Sequence, residues 1–210
     1  MIIDAHADIS GFLVRQAKSG HCMALEEAVL PSLQTGGITG VVNAVYLDKQ
    51  ELNTPKASAL RQIEELRRQI DLSQDMAIVT SAGELEAAYQ RDQIGVFLSL
   101  EGAEPIEEMT DLDVFYEAGV RMIGLTWNGA NRYAGGCAAP HFGLTNQGIE
   151  LLDRMARKNM LLYLSHLSDP ATDEALERFQ GLPIASHSNA RSYADHVRNM
   201  TDEQLRRVAE

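Results

Sequence analysis

Short apolar runs alternate along this chain with segments whose apolar residues recur at helical spacing. Residues 2–9, 38–47, 94–100, 120–127, 161–167 and 182–187 have the character of strands. The segments between them announce helices by their ends. Thr54-Pro55 supplies an N-cap and a first-turn proline, after which Leu60, Ile63, Leu66 and Ile70 follow along one face. Ser81-Ala82-Gly83-Glu84 has the spacing of a capping box. Thr145 precedes the stripe Ile149, Leu152, Met155 and Ala156, and Asp169-Pro170 opens another helix. Alternation of this kind predicts βα units around a parallel sheet. No internal repeat, low-complexity tract or linker interrupts it, so residues 1–210 are expected to form one α/β domain.

The strand count sharpens that expectation. A closed (β/α)8 barrel has eight strands in about 250 residues, and this chain offers six strand-like runs. Near the end, Thr201 and Gln204 have capping-box spacing and Met200 with Leu205 forms a hydrophobic staple, so a helix starts shortly before Glu210. The expected fold is therefore α/β, of the (β/α)8 TIM-barrel type, but incomplete. Strands near residues 2–9 and 182–187 are expected to remain as edges, which invite association between copies into a homo-oligomer.

Composition narrows the function classes. With 45% apolar residues in 210, the chain can bury a core, which excludes dominant disorder. Eighteen basic against thirty acidic residues give a net charge of −12, which repels phosphate backbones and anionic lipid. Nucleic acid and membrane are thus not expected partners. No apolar run approaches the ~20 residues of a membrane-spanning helix, and the opening Met1-Ile2-Ile3-Asp4 lacks the basic and apolar regions of a signal peptide. Cys22 and Cys137 make neither a disulfide framework nor zinc-knuckle spacing, and read as reduced thiols of a cytoplasmic protein.

Chemistry-bearing residues gather at the ends of the strand-like runs. In Asp4-Ala5-His6-Ala7-Asp8, strand alternation turns Asp4, His6 and Asp8 to one face. A His and a carboxylate two residues apart on one face can hold the same metal ion. The run ending Leu100-Glu101-Gly102 finishes on a carboxylate, costly to bury unless paired or metal-bound, and Gly102 lets the backbone turn close to a ligand. Two more runs finish on Ser-His, at Ser165-His166 and Ser186-His187. Each of these ends alone has an ordinary structural account; together they do not. Strand C-termini of a parallel barrel open on one mouth, so His6, Asp8, Glu101, His166 and His187 are expected to converge there. Three imidazoles and two carboxylates suit zinc or a similar divalent ion, and one Glu between two His-containing sets can bridge a metal pair.

These segments resemble the membrane (renal) dipeptidase family, binuclear zinc hydrolases among the amidohydrolase-like barrels. The resemblance rests on Asp-x-His-x-Asp at 4–8, Leu100-Glu101-Gly102, Gly119-Val120-Arg121 and Leu125-Thr126-Trp127-Asn128. It continues through Gly143-Leu144-Thr145, Leu164-Ser165-His166-Leu167-Ser168, Ser186-His187-Ser188-Asn189-Ala190 and Arg198-Asn199 with Asp202. It implies two zinc ions, one held by His6 and Asp8, the other by His166 and His187, with Glu101 as the bridging catalytic carboxylate. Arg198 matches the family's grip on the substrate's terminal carboxylate, a role suited to guanidinium geometry. Trp127 stands where some members carry a histidine that polarises the scissile carbonyl, and is expected to line the substrate pocket. Tyr163 stands where members commonly have Asp. The family pattern continues for about two more strands, with a proton-shuttling Asp in a Gly-Ser-Asp-like segment that has no counterpart before Glu210.

The expectation is a zinc-dependent dipeptidase, acting through metal-activated water on a small dipeptide. A metal-binding barrel fragment with impaired turnover, or hydrolysis of a lactone or cyclic amide by the same ligands, are the alternatives.

Overall fold

The alternation read from the sequence is present in the computed structural model, which describes residues 1–210. The strands are β1 (Ile3–Ala7), β2 (Gly40–Tyr46), β3 (Met76–Ile78), β4 (Ile94–Glu101), β5 (Val120–Gly124), β6 (Leu161–Tyr163) and β7 (Pro183–Ile184). The helices are α1 (Ile9–Lys18), α2 (Leu30–Thr35), α3 (Pro55–Leu72), α4 (Ala82–Tyr89), α5 (Asp111–Glu117), α6 (Asn146–Arg157), α7 (Asp169–Arg178) and α8 (Asp202–Ala209). Six strands fall on the six predicted runs. The seventh, β3, has only three residues and shows no periodicity to read. Two compact units make up the chain, Met1–Leu100 with Pro105–Arg121, and Glu101–Glu104 with Met122–Glu210.

In the first unit β1 pairs in parallel with β2, Ile3 opposite Gly40 and Ala7 opposite Asn43, with an irregularity between Asp4 and Ala7. Short β3 lies parallel to β4, Met76 opposite Ile94 and Ile78 opposite Val96. Strand β2 is apolar and almost wholly buried, as expected of a parallel strand covered on both faces. Its one polar interior residue, Asn43, is fully satisfied. Asn43 Oδ1 accepts from the Ser10 N–H at 2.7 Å, its Nδ2 donates to Ser10 Oγ at 3.1 Å, and Ser10 Oγ donates to Gln62 Oε1 at 3.1 Å. This network ties the first turn of α1 to β2 and α3, which fixes where the end of β1 points.

Helix ends follow the sequence signals with small displacements. Ser81, Thr145 and Thr201 cap α4, α6 and α8 through their side chains, and Thr201 with Gln204 completes a capping box. Helix α7 is capped by Ser168, which puts Asp169 and Pro170 inside the first turn. Thr54 precedes α3 but turns its hydroxyl to Ser58 Oγ instead of a helix N–H. Arg67 and Arg68, neighbours on α3, have different surroundings. Arg68 is exposed beside Glu65, whereas Arg67 is half-buried and donates to the Ala118 carbonyl at the end of α5, 2.6 Å away. Helix-end carbonyls without an intrahelical partner attract such donors.

In the second unit β5, β6 and β7 run parallel, Met122 opposite Leu161, Gly124 opposite Tyr163 and Leu162 opposite Pro183. The segment following β4 joins them, Gly102 N–H donating to the Gly124 carbonyl and Ala103 N–H to that of Leu125. Arg191 grips Asp169 through two parallel hydrogen bonds of 2.7 and 2.8 Å, and that contact holds the Asp169 carboxyl below the usual carboxylate range. A lowered folded pKa stabilises above the unfolded value of about 4 and is lost as pH falls through the folded one. Asp169→Asn should therefore be less stable than wild type at pH 7, with the gap closing towards pH 3 in urea unfolding. A constant gap would show that the pair contributes no charge-linked stability.

Candidate active site

Strand β1 stops at Ala7, so Asp8 is not the strand residue that alternation predicted. It occupies the N-cap position of α1, with no side-chain bond to the helix N–H groups, and its exposed Oδ1 lies 3.8 Å from Nε2 of half-buried His6. Asp4 explains the local irregularity, because its Oδ1 accepts from the His6 backbone N–H at 3.1 Å. His6 and Asp8 are thus brought together at the end of β1, by a bend followed by a helix start. Asp8 also lines a cleft of ≈ 220 Å³ with Arg15, Tyr46 and Asp48.

The second unit assembles the other predicted residues. Glu101 ends β4 and is buried; Gly102 after it has φ +100, which L side chains rarely adopt. His166 and His187 each lie three residues beyond the end of their strands, β6 and β7, which are shorter than the runs suggested. His166 itself adopts φ +77, an uncommon backbone for a side-chain-bearing residue. Its carbonyl is held by the Cys137 N–H at 2.8 Å. From there Glu101 Oε1 stands 2.8 Å from His166 Nε2 and 3.3 Å from His187 Nε2, and the two Nε2 atoms are 2.9 Å apart.

The opposite ring nitrogens decide what faces inward. His166 Nδ1 lies 2.8 Å from Asn128 Oδ1, a contact that suits a proton on Nδ1. Burial lowers the proton affinity of His166 more than its hydrogen bond with Glu101 raises it, and Arg198 pushes further down. The ring is neutral, and its Nε2 presents a lone pair to a carboxylate oxygen 2.8 Å away. Two electron pairs at that separation call for a cation beside them, a place that the Arg198 guanidinium or a metal ion can take. With His187 Nε2 alongside, the donors are nitrogen and carboxylate oxygen, the set that zinc and similar divalent ions take. His187 Nδ1 is in turn 2.8 Å from Ser186 Oγ, and hydrogen bonds of this outer kind orient ligating imidazoles.

Arg198 reaches the same place. Its Nη2 donates to His166 Nε2 at 3.0 Å and to the His187 carbonyl at 3.4 Å, while buried Nη1 has no hydrogen-bond partner. Burial works against its charge and Glu101 supports it; guanidinium stays protonated regardless. The Trp127 ring is 6.0 Å from that of His166, tilted by 39°, and 41% exposed, so it is not a core side chain. Two neighbours were not predicted. Asn128, quoted above only as part of a motif, holds His166, and Cys137, read as a mere reduced thiol, donates from Sγ to Asn128 Oδ1 at 3.1 Å. The signal for Asn128 was its position one residue beyond an apolar run, the same kind of place that marked the histidines. For Cys137 it was the preceding Gly135-Gly136, which lets the backbone come close.

Comparison with known proteins places this arrangement. The chain is 33% identical over 159 residues to the uncharacterized protein in the PQQ-III 3′ region of Acinetobacter calcoaceticus, a match over 72% of this chain and 50% of that protein. It spans about half the length of the curated relatives it matches. Among solved structures, the dipeptidase AC, a metallopeptidase of family M19, superposes with TM-score 0.90 at 22% identity, covering 99% of this chain and 68% of that one. A metallopeptidase from Rhodobacter sphaeroides, liganded with a phosphinate mimic of the dipeptide L-Ala-D-Ala, gives TM-score 0.88 at 21% identity, covering 99% and 70%. These likenesses establish the fold as α/β of the (β/α)8 barrel type, of which the chain supplies six barrel strands. The profile described as Membrane dipeptidase (Peptidase family M19) matches residues 1–210 from end to end. The chain belongs to the membrane dipeptidase family, peptidase family M19.

Proposed function

We propose that this protein is a metal-dependent dipeptidase whose residues 1–210 form one hydrolase barrel domain. The observation that carries the reading is the confrontation of Glu101 Oε1 with the His166 and His187 Nε2 atoms at 2.8 and 3.3 Å. Glu101, His166 and His187 would hold divalent metal, as would His6 with Asp8, zinc being the ion these donors suit best. When bound, the ions supply Lewis acidity and a water that is nucleophilic at neutral pH.

The chain's own side chains do the remaining work. Arg198 turns its unpartnered Nη1 to the substrate's terminal carboxylate. Glu101, buried and anionic, keeps positive charge fixed at the site where the peptide carbonyl develops negative charge. Trp127 walls the pocket and limits access of bulk water. A dipeptide is the substrate class that a single carboxylate clamp beside the reacting centre selects, and the dipeptide mimic bound by the Rhodobacter sphaeroides protein supports it. No helix is long and apolar enough to cross a membrane, and the unbridged Cys22 and Cys137 fit a reducing cytoplasm.

Metal analysis of the purified protein beside a dipeptide hydrolysis assay tests the reading. Bound zinc with turnover that a chelator removes is the expected result; turnover indifferent to chelation would overturn it. For the clamp, Arg198→Ala should raise KM about 10–100-fold, the worth of a lost hydrogen bond to a charged group, with metal content unchanged. The wild-type protein should also prefer a dipeptide to its C-terminal amide by a similar factor. Equal use of both would remove Arg198 from the role.

A further inference from the structure

Behind His166, on the side away from Glu101, two residues that the proposed chemistry does not use converge on one oxygen. Asn128 Oδ1 receives the His166 Nδ1 proton at 2.8 Å and the Cys137 Sγ proton at 3.1 Å. The backbone binds the same three residues: Cys137 N–H donates to the His166 carbonyl at 2.8 Å, and Ala138 N–H to that of Asn128 at 2.8 Å. Neighbouring Gly136 and Leu167 form an antiparallel bridge. Cys137 is 6% exposed, and its Sγ has an acceptor beside it in Asn128 Oδ1.

We propose that Asn128 and Cys137 are positioning residues that lock His166 in the Nδ1–H tautomer and so aim its Nε2 lone pair at the metal. The inference rests on the metal reading above for its purpose, but the tautomer belongs to the metal-free protein and is measured separately. Two protons on one oxygen define the amide's orientation, because an amide flip would set Nδ2 against two donors. His166 also sits in the left-handed backbone region, a state that persists only where surrounding contacts hold it. A hydrogen-bonded partner on the far nitrogen of a ligating histidine commonly contributes about 10–100-fold in metal affinity.

Long-range ¹H–¹⁵N NMR of the metal-free protein reads the tautomer, and competitive cobalt titration reads affinity. Wild type should show a protonated Nδ1 at His166. Asn128→Leu should lose that signature and bind cobalt about 10–100-fold more weakly, whereas Asn128→Asp, which keeps the acceptor, should retain both. Cys137→Ala should weaken binding by a smaller factor, restored by Cys137→Ser. A protonated Nε2 in wild type, or Asn128→Leu binding cobalt as wild type does, would overturn the inference. So would equal losses in Asn128→Asp and Asn128→Leu, since a merely structural asparagine tolerates neither. Wild-type protein with the Nδ1–H ring but no cobalt affinity would instead overturn the metal reading and leave the tautomer lock standing.

Discussion

Glu101→Gln is expected to empty the protein of bound divalent metal and to lower dipeptide turnover by about 10³-fold or more, since metal assistance is worth several kcal/mol. The carboxylate is the one acidic group that meets both imidazoles of the second unit, 2.8 and 3.3 Å from their Nε2 atoms. Glutamine keeps its size but replaces one oxygen by an N–H donor and removes the charge. The same substitution should destabilise the metal-free protein, because it removes the carboxylate that supports the charge of half-buried Arg198. Elemental analysis, an assay and thermal unfolding in chelator check the three parts. Full metal occupancy with full turnover in the variant would remove Glu101 from the centre.

The sequence displayed the proposed ligands more clearly than what aims them. Apolar runs that end abruptly on His or Glu are visible because a charged or polar residue breaks a hydrophobic stretch, and that break is the strand's exit from the core. The local conformation at the exit is not visible in the same way. Asp8 reads as the third same-face residue of a strand, yet the chain has already turned into α1, and its closeness to His6 comes from the bend that Asp4 caps. His166 reads as a strand terminus, yet it stands three residues beyond β6 with φ +77, a state that no local preference of Leu164-Ser165-His166 predicts. Its cause is non-local: the Cys137 N–H fastened to its carbonyl from 29 positions earlier, in a loop with no periodicity.

Helix caps fared in between. Ser81, Thr145 and Thr201 are capping residues both in sequence and in structure, since capping is local chemistry over three residues. Where a more distant group competes, the local signal loses. Arg67 belongs by sequence to a charged pair, but the Ala118 carbonyl at a helix end draws it inward, and that partner lies 51 residues away. Strand β3 is the limiting case: three residues whose pairing with Ile94–Val96 gives them their identity.

Gly136→Ala should be among the most damaging additions of a methyl group near the site. A Cβ there would stand 2.5 Å from the carbonyl oxygens of Asn128 and Gly129 and hard against that of Trp127. Backbone oxygens have no rotamer to escape into, so the loop must move. Overpacking of this kind costs about 3 kcal/mol, against a typical total of about 5–15 kcal/mol, and should lower Tm by roughly 6–12 °C in a chain of this size. The movement strikes the site because Gly136 bridges Leu167, its neighbour Cys137 holds the His166 carbonyl, and Ala138 holds that of Asn128. Metal affinity should therefore fall together with stability, although Gly136 offers no ligand. Gly129→Ala is the control in the same loop, since a Cβ at that position meets nothing within 4 Å and should change neither quantity. Calorimetry and cobalt titration of the two variants give the answer. Equal behaviour of Gly136→Ala and Gly129→Ala would mean that the loop yields without cost, and that His166 is held in place by its own segment alone.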